Sequence, residues 1–309
     1  MNEVVRSGVL VVDKPAAATS FDMVTRLRRR LGVRRIGHAG TLDPDATGVL
    51  PLLIGEATKL VAYLQDESKE YRATIRFGVT TDTQDLTGRV LATTPVPPLS
   101  HEALTAATRP FVGRIRQVPP MFSALHHEGQ RLYELARAGV EVAREPREVV
   151  VHEIVVEDVA ETTATLRITC GRGTYIRTLA ADVGTALGCG AAIERLVRTR
   201  VGPFARADAT TASDLATASA DVLWARVLPP EAALAHWRAV HLDDAAAAAF
   251  VHGQPAAARP GVAGAGAFVR VHDDSDRMLG IGQVTPDARA VKPVRILHAD
   301  RPEPRVLSR

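Results

Sequence analysis

The sequence predicts an α+β protein of two domains, a larger one that mixes helices and strands and a small β-barrel that follows it. A chain of 309 residues is long enough for about two domains of ~150 residues each. Its N-terminal part contains both alternating apolar runs and apolar residues at helical spacing, which are the periodicities of strands and helices. From about Val240 onward only short strand signals remain, separated by Gly, Pro and Asp. That last pattern is typical of a small barrel.

The first elements of the chain are a predicted strand and a predicted helix. The run "GVLVVDKP" is apolar and closed by Pro15, which predicts a strand. Thr19 or Ser20 can then cap a helix that ends at Gly32. The apolar face of this helix consists of Val24, Leu27 and Leu31. Because that face packs on the core, the arginines between its members must point toward water or a polyanion.

Later segments supply the remaining elements. "KEYRATIRFG" alternates as a half-buried strand does, and "ATLRITC" predicts another strand that runs through a Gly-rich turn into a helix beginning near Tyr175. The barrel strands are predicted at "AFVRVHD", "MLGIGQV" and "VKPVRIL". We expect a linker between the two domains near Pro229 to Trp237.

Composition excludes several classes of protein. No apolar run reaches the ~18 to 20 residues of a membrane span, and the start lacks the apolar segment of a signal peptide. A cytoplasmic protein is therefore expected. Cys170 and Cys189 are the two cysteines, and their spacing suits neither a zinc site nor a disulfide framework. We expect two reduced, structural thiols.

The basic residues are unusually biased toward arginine. Of the 38 basic residues, 4 are Lys and 34 are Arg, and arginine forks suit phosphate. Two acid-poor stretches, "RLRRRLGVRR" and "RLVRTRVGPFAR", concentrate them, which indicates either nucleic-acid contacts or a solvated face. The candidate contacts to an RNA backbone are Arg28, Arg29, Arg30 and Arg198.

The stretch "GHAGTLDPDATG" places Asp43 directly before Pro44 in a glycine-rich loop. Such an acid is either a turn former or a reactive carboxylate that the turn presents. The loop lacks the Lys-Ser/Thr pair of a P-loop, and the potential ligands His38, Asp43 and Asp45 make a weak metal pattern. We therefore predict no metal site. An acid in such a loop, together with aromatics and arginines, fits nucleic-acid chemistry.

Five blocks in order carry a resemblance to a known family. They are "GVLVVDKPAAATS", "GHAGTLDPDATGVLPLLIGEATK", "KEYRATIRFGVTTDTQDLTG", "QVPPMFSALHHEGQRLYELARAG" and "GRGTYIRTLAADVGTALGCGAAIERLVRTRVGPF". Over most of residues 8 to 206 the chain resembles the TruB-type tRNA pseudouridine synthases, and its tail resembles their C-terminal PUA domain. The resemblance implies a pseudouridine synthase fold with a mixed, largely antiparallel central sheet, plus a PUA-like barrel. It implies a catalytic domain at 1–230, with an RNA-clamping thumb insertion at about 110–150, and a PUA-like domain at 238–309.

The activity implied by the resemblance is the isomerisation of uridine 55 in the T-arm loop of tRNA to pseudouridine. The base is flipped out, the N-glycosidic bond breaks, uracil rotates, and C5 is joined to C1′ without any cofactor. We expect tRNA as the partner, no membrane and no obligate protein partner, and a monomer. Two alternatives share the same surface: a tRNA-binding chaperone without chemistry, and a related synthase directed to another RNA by a guide.

The resemblance also assigns roles to residues. Asp43 matches the catalytic aspartate, which either attacks C1′ or takes a proton from C2′. Arg177 in "GTYIRT" matches the arginine that pairs with this aspartate, and Tyr71 in "KEYRA" matches the tyrosine that stacks on the base. The residues matched to substrate binding are His38, which fills the space left by the flipped base, Tyr175 and Leu196, which line the pocket, and Asp85 and Lys14, which support it.

Overall fold

The computed structural model describes residues 6–257 and 263–297. Residues 1–5 of the predicted catalytic domain 1–230, and residues 258–262 and 298–309 of the predicted domain 238–309, lie outside the described residues. The strands are β1 (Gly8–Lys14), β2 (Ile36–His38), β3 (Thr47–Ile54), β4 (Lys69–Phe77), β5 (Val79–Thr81), β6 (Val90–Thr93), β7 (Gly113–Gln117), β8 (His126–His127), β9 (Gln130–Arg131), β10 (Arg147–Val159), β11 (Thr163–Cys170), β12 (Ala191–Val201), β13 (Phe204–Ala205), β14 (Thr210–Thr211), β15 (Ala239–Leu242), β16 (Ala256–Ala257), β17 (Phe268–Asp273), β18 (Met278–Val284) and β19 (Ala290–Ile296). The α-helices are α1 (Ser20–Leu31), α2 (Val61–Asp66), α3 (His101–Thr108), α4 (Leu132–Arg137), α5 (Ile176–Ala186), α6 (Ala212–Thr217), α7 (Ala220–Ala225) and α8 (Asp244–Val251).

The chain divides into two compact units. The first unit comprises residues 1–44, 49–65 and 202–309, and the second comprises residues 45–48 and 66–201. The predicted domain boundary between residues 230 and 238 falls inside the first unit, and it stays a prediction.

The first unit contains a sheet of order β14–β1–β3, with β1 and β14 parallel and β2 antiparallel to β3. Helix α1 is confirmed where the sequence predicts it. Thr19 caps its N-terminus in a capping box with Asp22, and Gly32 ends it at φ 69, a left-handed conformation that glycine adopts without a steric penalty. The apolar residues of α1 and of the sheet share one core, which includes Leu10, Val12, Met23, Val24, Leu27, Leu50, Leu52 and Ile54.

A separate five-stranded sheet of the first unit has the order β15–β17–β18–β19–β16. Its three predicted strands are confirmed as β17, β18 and β19. The predicted barrel is a curled half-barrel, since the two outermost strands in this order do not pair with each other. Within the predicted linker, residues Pro230–Leu234 form a short 3₁₀ helix in which Ala233 and Leu234 are fully buried.

The second unit is built on strands in the order β12–β4–β11–β10–β7, all antiparallel, with Thr47 and Gly48 of β3 added in parallel beside β12. This mixture confirms the predicted largely antiparallel sheet. Gly48 has φ 108, and a side chain there would overlap the carbonyl oxygen of Arg198. The close parallel pairing therefore requires glycine at this position.

The predicted thumb insertion at 110–150 contains β7, the β8–β9 hairpin, α4 and the start of β10. Its surface carries Tyr133, with the guanidinium groups of Arg131 and Arg137 at 6.0 and 5.6 Å from the ring centre. Such an aromatic and basic combination suits contact with nucleic acid. The clamping role itself stays a prediction.

Both cysteines are free and buried, as expected. Cys170 is 1% and Cys189 is 2% exposed, and burial raises the pKa of the Cys170 thiol to about 11. Within residues 6–257 and 263–297, no helix has the length and apolar character needed to cross a bilayer.

Candidate active site

Asp43 lies in the first unit, in the loop that joins β2 to β3. Its side chain is half-buried, whereas Leu42 before it is 4% exposed. Gly40 takes φ 92, so the loop uses a conformation that favours glycine at its entrance. Asp43 therefore lies in a loop whose neighbouring apolar side chain is anchored in the core.

Lys14 holds this loop from the end of β1. Its side chain is fully buried, and Nζ donates to the carbonyl oxygens of Pro15 at 2.8 Å, Ala18 at 2.7 Å and Pro44 at 2.8 Å. An ammonium has three donors, and charge-assisted hydrogen bonds of this kind are stronger than neutral ones. Lys14 thus fixes the residue that immediately follows Asp43.

Ser20 holds the residue that precedes Asp43. The amide of Leu42 donates to Ser20 Oγ at 2.9 Å, and Ser20 Oγ lies 3.4 Å from the Leu42 carbonyl oxygen. Ser20 opens helix α1 and is 2% exposed. Because both flanks of Asp43 are tied to buried side chains, the position of its Cα is defined by two other elements of the first unit. Sequence reasoning did not identify Ser20, which it considered only as a helix cap.

His38 ends β2, where it is half-buried and opposite Leu52 of β3. The first unit therefore contains three of the predicted catalytic and substrate-binding residues, Lys14, His38 and Asp43, on β1, on β2 and in the loop that follows. Of these, the structure connects Lys14 to the Asp43 loop through the Pro44 carbonyl oxygen.

Arg177 lies in the second unit, in the first turn of α5, and is 5% exposed. Its Nη1 donates to the Thr83 carbonyl oxygen and its Nη2 to the Phe122 carbonyl oxygen, each at 2.8 Å. Its Nε lies 3.9 Å from Asp85 Oδ2. Arg177 is therefore a buried cation that joins the loop after β5 to the segment after β7, and not the surface residue that an isolated arginine would be.

Asp85 organises the loop after β5. Its Oδ1 accepts from Thr83 Oγ1 at 2.7 Å and from the amide and hydroxyl of Thr87 at 3.1 and 2.6 Å. A carboxylate that accepts local hydrogen bonds in this way stabilises a turn. The structure brings Asp85 and Arg177 together, and the supporting role of Asp85 stays a prediction.

Tyr175 is the N-cap residue of α5. Its amide donates to Gln117 Oε1 at 3.0 Å, and Gln117 Nε2 donates to the Tyr175 carbonyl oxygen at 3.3 Å. Gln117 ends β7 and is 1% exposed. Sequence reasoning missed Gln117, because nothing in its local pattern indicates that a glutamine 58 positions away pairs with both backbone groups of Tyr175.

Tyr71, Leu196 and Arg198 share one face of the second unit's sheet. Tyr71 pairs with Arg198, and Ala73 pairs with Leu196, across the antiparallel strands β4 and β12. Directly opposite residues point to the same face. Tyr71 and Leu196 are each 8% exposed, and Arg198 is 1% exposed. The face is thus nearly dry, and its role as the wall of a pocket stays a prediction.

Arg198 was expected to contact an RNA backbone, and the structure corrects this. A guanidinium that is 1% exposed does not offer itself to a phosphate in solvent. Strand β12 has register shifts between Ile193 and Arg195 and between Arg198 and Arg200. Such bulges interrupt the alternation of inward and outward side chains, which turns Arg198 inward.

Lys69 is a further buried cation on the same strand as Tyr71, two positions earlier. It is 7% exposed, and burial, followed by the positive charge of Arg198, lowers the pKa of its ammonium to about 8. Sequence reasoning did not consider it. The signal was available, because Lys69 occupies an inward position of the alternating strand.

The arginines of α1 are not all directed outward. Arg28 Nη2 donates to the Ile36 carbonyl oxygen at 2.9 Å, and Arg30 donates to the Ala218 carbonyl oxygen. Both are half-buried, whereas Arg29 is exposed. The expected RNA contacts Arg28 and Arg30 are therefore engaged within the first unit.

The exposed guanidinium groups nearby belong to Arg26, Arg29, Arg34 and Arg35. That of Arg35 pairs with Glu56 at 2.6 Å.

Three family models match consecutive parts of the chain. The TruB family pseudouridylate synthase (N terminal domain) model matches residues 28–176. The tRNA pseudouridylate synthase B C-terminal domain model matches residues 177–235, and the Pseudouridine synthase II TruB, C-terminal model matches residues 239–297.

Curated relatives are similar over almost their whole length. The chain is 46% identical over 305 residues to tRNA pseudouridine synthase B of Moorella thermoacetica, which covers 94% of this chain and 99% of that protein. It is 42% identical over 297 residues to tRNA pseudouridine synthase B of Pseudomonas aeruginosa, which covers 95% and 96%. A chain in the crystal structure of a Cbf5-Nop10-Gar1 complex superposes with a TM-score of 0.73 at 27% identity, covering 94% of this chain and 85% of that one.

Proposed function

The chain belongs to the TruB family of pseudouridylate synthases and is an isomerase of that class, and we propose that it converts uridine 55 in the T-arm loop of tRNA to pseudouridine. The relatives named tRNA pseudouridine synthase B support tRNA as its substrate. The reaction breaks the bond from N1 to C1′ and forms a bond from C5 to C1′. The hydrogen at C5 leaves to solvent and N1 gains a proton, so the nucleotide keeps its composition.

The observation that carries the proposal is that hydrogen bonds fix the loop of Asp43 on both sides of this residue. Lys14 and Ser20 fix the residues on either side of this carboxylate, and a group held in this way needs little reorganisation to act on a ribose. Asp43 either attacks C1′ to form a covalent intermediate or takes a proton from C2′ and passes through a glycal. Both routes use the ionised carboxylate at the same sugar.

The partner residues of the proposed mechanism come from the second unit. In this proposal Arg177 is the cation assigned to pair with the carboxylate of Asp43. Tyr71 stacks on the uracil, and Leu196 and Tyr175 form apolar walls that exclude water. The low exposure of Arg177, Tyr71 and Leu196 supports these assignments.

Flipping uridine 55 out of the loop has an energetic cost that contacts with the enzyme must offset. Extrusion costs a few kcal/mol, which stacking on Tyr71 and contacts to the backbone offset. His38 occupies the space that uridine 55 leaves in the loop, Asp85 and Lys14 support the pocket, and the insertion at 110–150 of a catalytic domain at 1–230 clamps the arm. A PUA-like domain at 238–309 contacts the rest of the tRNA. The enzyme acts as a cytoplasmic monomer without a protein partner.

The decisive experiment is release of tritium from a tRNA transcript labelled at uridine C5. The native chain is expected to release label, and Asp43→Asn is expected to release none while it still binds the transcript. Asp45→Asn is the matched control, because Asp45 is an exposed acid two positions away, and it should keep activity. Release by Asp43→Asn at the native rate, or an equal loss in Asp45→Asn, contradicts the role of Asp43.

The position of the modified base is tested separately. A transcript in which uridine 55 is replaced by cytidine is expected to release no tritium from its remaining labelled uridines. Release from this transcript contradicts uridine 55 as the target and leaves the isomerase assignment standing.

The RNA surface that we propose is the exposed basic edge of α1 and the turn after it, formed by Arg26, Arg29 and Arg34. Replacing the three by Gln should weaken tRNA binding and flatten its dependence on salt by roughly one unit of slope for each phosphate that is no longer neutralised. Arg226→Gln is a control, since that exposed guanidinium is already paired with Asp214 at 2.7 Å. An unchanged salt dependence in the triple variant shows that this edge faces only solvent.

A further inference from the structure

Two histidines and an aspartate meet at one end of the five-stranded sheet. His241 on β15 lies opposite His272 on the parallel strand β17, and their ring centres are 5.4 Å apart. His241 Nε2 lies 3.1 Å and His272 Nδ1 lies 3.4 Å from Asp276 Oδ1. The three ligand atoms all lie within 4.8 Å of one another.

We propose that His241, His272 and Asp276 form a binding site for a borderline divalent cation such as Zn²⁺. Zn²⁺ binds imidazole nitrogens together with carboxylate oxygens. Imidazole binds this class of ion in preference to hard cations. The ion would join β15 to the hairpin of β17 and β18, at a place remote in sequence from every residue of the proposed catalytic mechanism.

The distances fit tetrahedral coordination. Bonds of about 2.0 to 2.2 Å to nitrogen and oxygen place neighbouring ligand atoms roughly 3.4 Å apart in a tetrahedron. The two distances from Asp276 Oδ1, 3.1 and 3.4 Å, already match this value. The two imidazole nitrogens lie within 4.8 Å of each other, and the side chain of His241 is 51% exposed and able to move.

The turn that carries Asp276 is built by a second carboxylate. Asp273 Oδ1 accepts from the amides of Ser275 and Arg277 at 3.1 and 3.0 Å and from the Ser275 hydroxyl at 2.6 Å. Asp276 takes φ 63 within this turn, a left-handed conformation that is uncommon for a residue other than glycine. The backbone therefore adopts an unfavourable conformation at the residue that supplies the carboxylate.

His272 is difficult to explain as a packing residue. It is 4% exposed, and among the described residues its Nε2 has no hydrogen-bond partner. A buried polar atom without a partner costs about 1 to 3 kcal/mol, so an apolar side chain would be cheaper at this position. Its Nδ1 lies 3.1 Å from the Asp276 carbonyl oxygen. The atom that faces Asp276 and would bind the ion is Nδ1, so coordination does not supply Nε2 with a partner, and the site is argued from the geometry of the three ligand atoms alone.

The charges around the cluster limit its affinity for a cation but do not exclude binding. Asp276 is the acid of the cluster, and its side chain is 82% exposed, which leaves room for a water molecule as fourth ligand. Arg270 acts electrostatically on the same carboxylate and opposes a cation.

Sequence reasoning predicted no metal, because it examined the cysteines and the loop of Asp43. His241 and His272 belong to different strands, and no spacing motif links them. The parallel pairing of β15 with β17 is what makes them neighbours.

The test is calorimetric titration of ZnCl₂ into the full chain, without an affinity tag and after removal of metal by a chelator. The native chain should bind one equivalent, and zinc should raise its midpoint of thermal unfolding. His241→Ala and Asp276→Asn should each weaken binding by more than the ~10-fold that loss of an outer hydrogen-bond partner can cost. Both positions are exposed, so these variants should fold. Mg²⁺ should give no comparable binding.

His252→Ala is the matched control, because His252 is an exposed histidine of the same unit that contacts the Ala248 carbonyl oxygen. It should retain the native affinity. The proposal is overturned if the native chain shows no saturable binding, if His241→Ala binds as tightly as the native chain, or if His252→Ala loses binding to the same extent. The first of these outcomes leaves the cluster as a set of hydrogen bonds only.

Discussion

Lys14 and Arg177 are buried cations that hold two different loops through backbone carbonyl oxygens. In the first unit, Lys14 reaches the Ala18 carbonyl 4 positions away and the Pro44 carbonyl 30 positions away. In the second unit, Arg177 reaches Phe122 and Thr83, which are 55 and 94 positions away. The flexible ammonium gathers acceptors around a single point, whereas the planar guanidinium joins separate segments.

Lys14 therefore organises one loop and its neighbours, whereas Arg177 organises segments that are far apart in the sequence. The contacts of Lys14 form once β1, α1 and the loop before β3 have come together, and they concern the backbone beside Asp43. The contacts of Arg177 require α5, the loop after β5 and the segment after β7 to be in place. We therefore expect variants of Lys14 to act first on the Asp43 loop and variants of Arg177 to act on several segments at once.

The largest effect is expected for Lys14→Met, which leaves the carbonyl oxygens of Pro15, Ala18 and Pro44 without their donor. The free energy of unfolding should fall by about 3 kcal/mol or more, since each buried acceptor left unsatisfied carries a penalty. The rate of tritium release should fall as well, because Pro44 is no longer fixed. Denaturant unfolding measures the first effect. Lys292→Met is the control at an exposed lysine, and equal stability of the two variants contradicts the anchoring role.

A third buried cation, Lys69, extends the comparison to the pH dependence of the free energy of unfolding. Its pKa is lowered from 10.5 to about 8, so between these values the unfolded chain binds more protons than the native one. Stability contributed by this position therefore rises as pH increases from 8 to 10.5, and below 8 the full cost of the buried charge is present.

Lys69→Met should remove the cost of the buried charge and, with it, the rise of stability between pH 8 and pH 10.5. The stability of the variant relative to the native chain should be higher at pH 7 than at pH 10.5 by on the order of 3 kcal/mol. The measurement is the difference in unfolding free energy between the two proteins at pH 7 and at pH 10. A difference that does not change with pH contradicts the lowered pKa.

Arg177→Lys tests whether long-range organisation depends on the shape of the cation. The charge is retained, yet an ammonium cannot reproduce the fork that contacts Thr83 and Phe122. We expect a loss of about 2 kcal/mol in unfolding free energy and a lower rate of tritium release. Arg172→Lys is the control, since Arg172 is an exposed partner of Asp66. Native stability and rate in Arg177→Lys would show that charge alone suffices there.

The smallest effect is expected for Ser20→Ala, which removes one acceptor from the Leu42 amide. The cost should be about 1 kcal/mol in unfolding free energy, with a modest fall in the rate of tritium release. Ser213→Ala, at an exposed serine of the same unit, should change neither quantity. A loss as large as that of Lys14→Met would mean that the two anchors are equivalent.

Sequence reasoning succeeded where a residue's environment is local. Helix α1 was predicted with both caps, and β4 with its alternation, because capping residues and periodicity lie within a few positions of each other. It failed for Arg198, whose inward orientation depends on two register shifts in β12. It also failed for Arg28 and Arg30, whose long side chains fold back to distant carbonyl oxygens. Gln117 and the cluster of His241 could not be predicted either, because the side chain of Gln117 contacts the backbone of Tyr175 58 positions away and the pairing of β15 with β17 is what brings His241 beside His272.

The state of the two native thiols bears on how the protein can be studied in solution. Reaction with maleimide reagents requires an accessible thiolate, and Cys170 and Cys189 are both enclosed. A single cysteine introduced at the exposed Asp45 should consequently accept a fluorophore at neutral pH, with neither native cysteine replaced. A reporter dye at that place would follow docking of the transcript in real time.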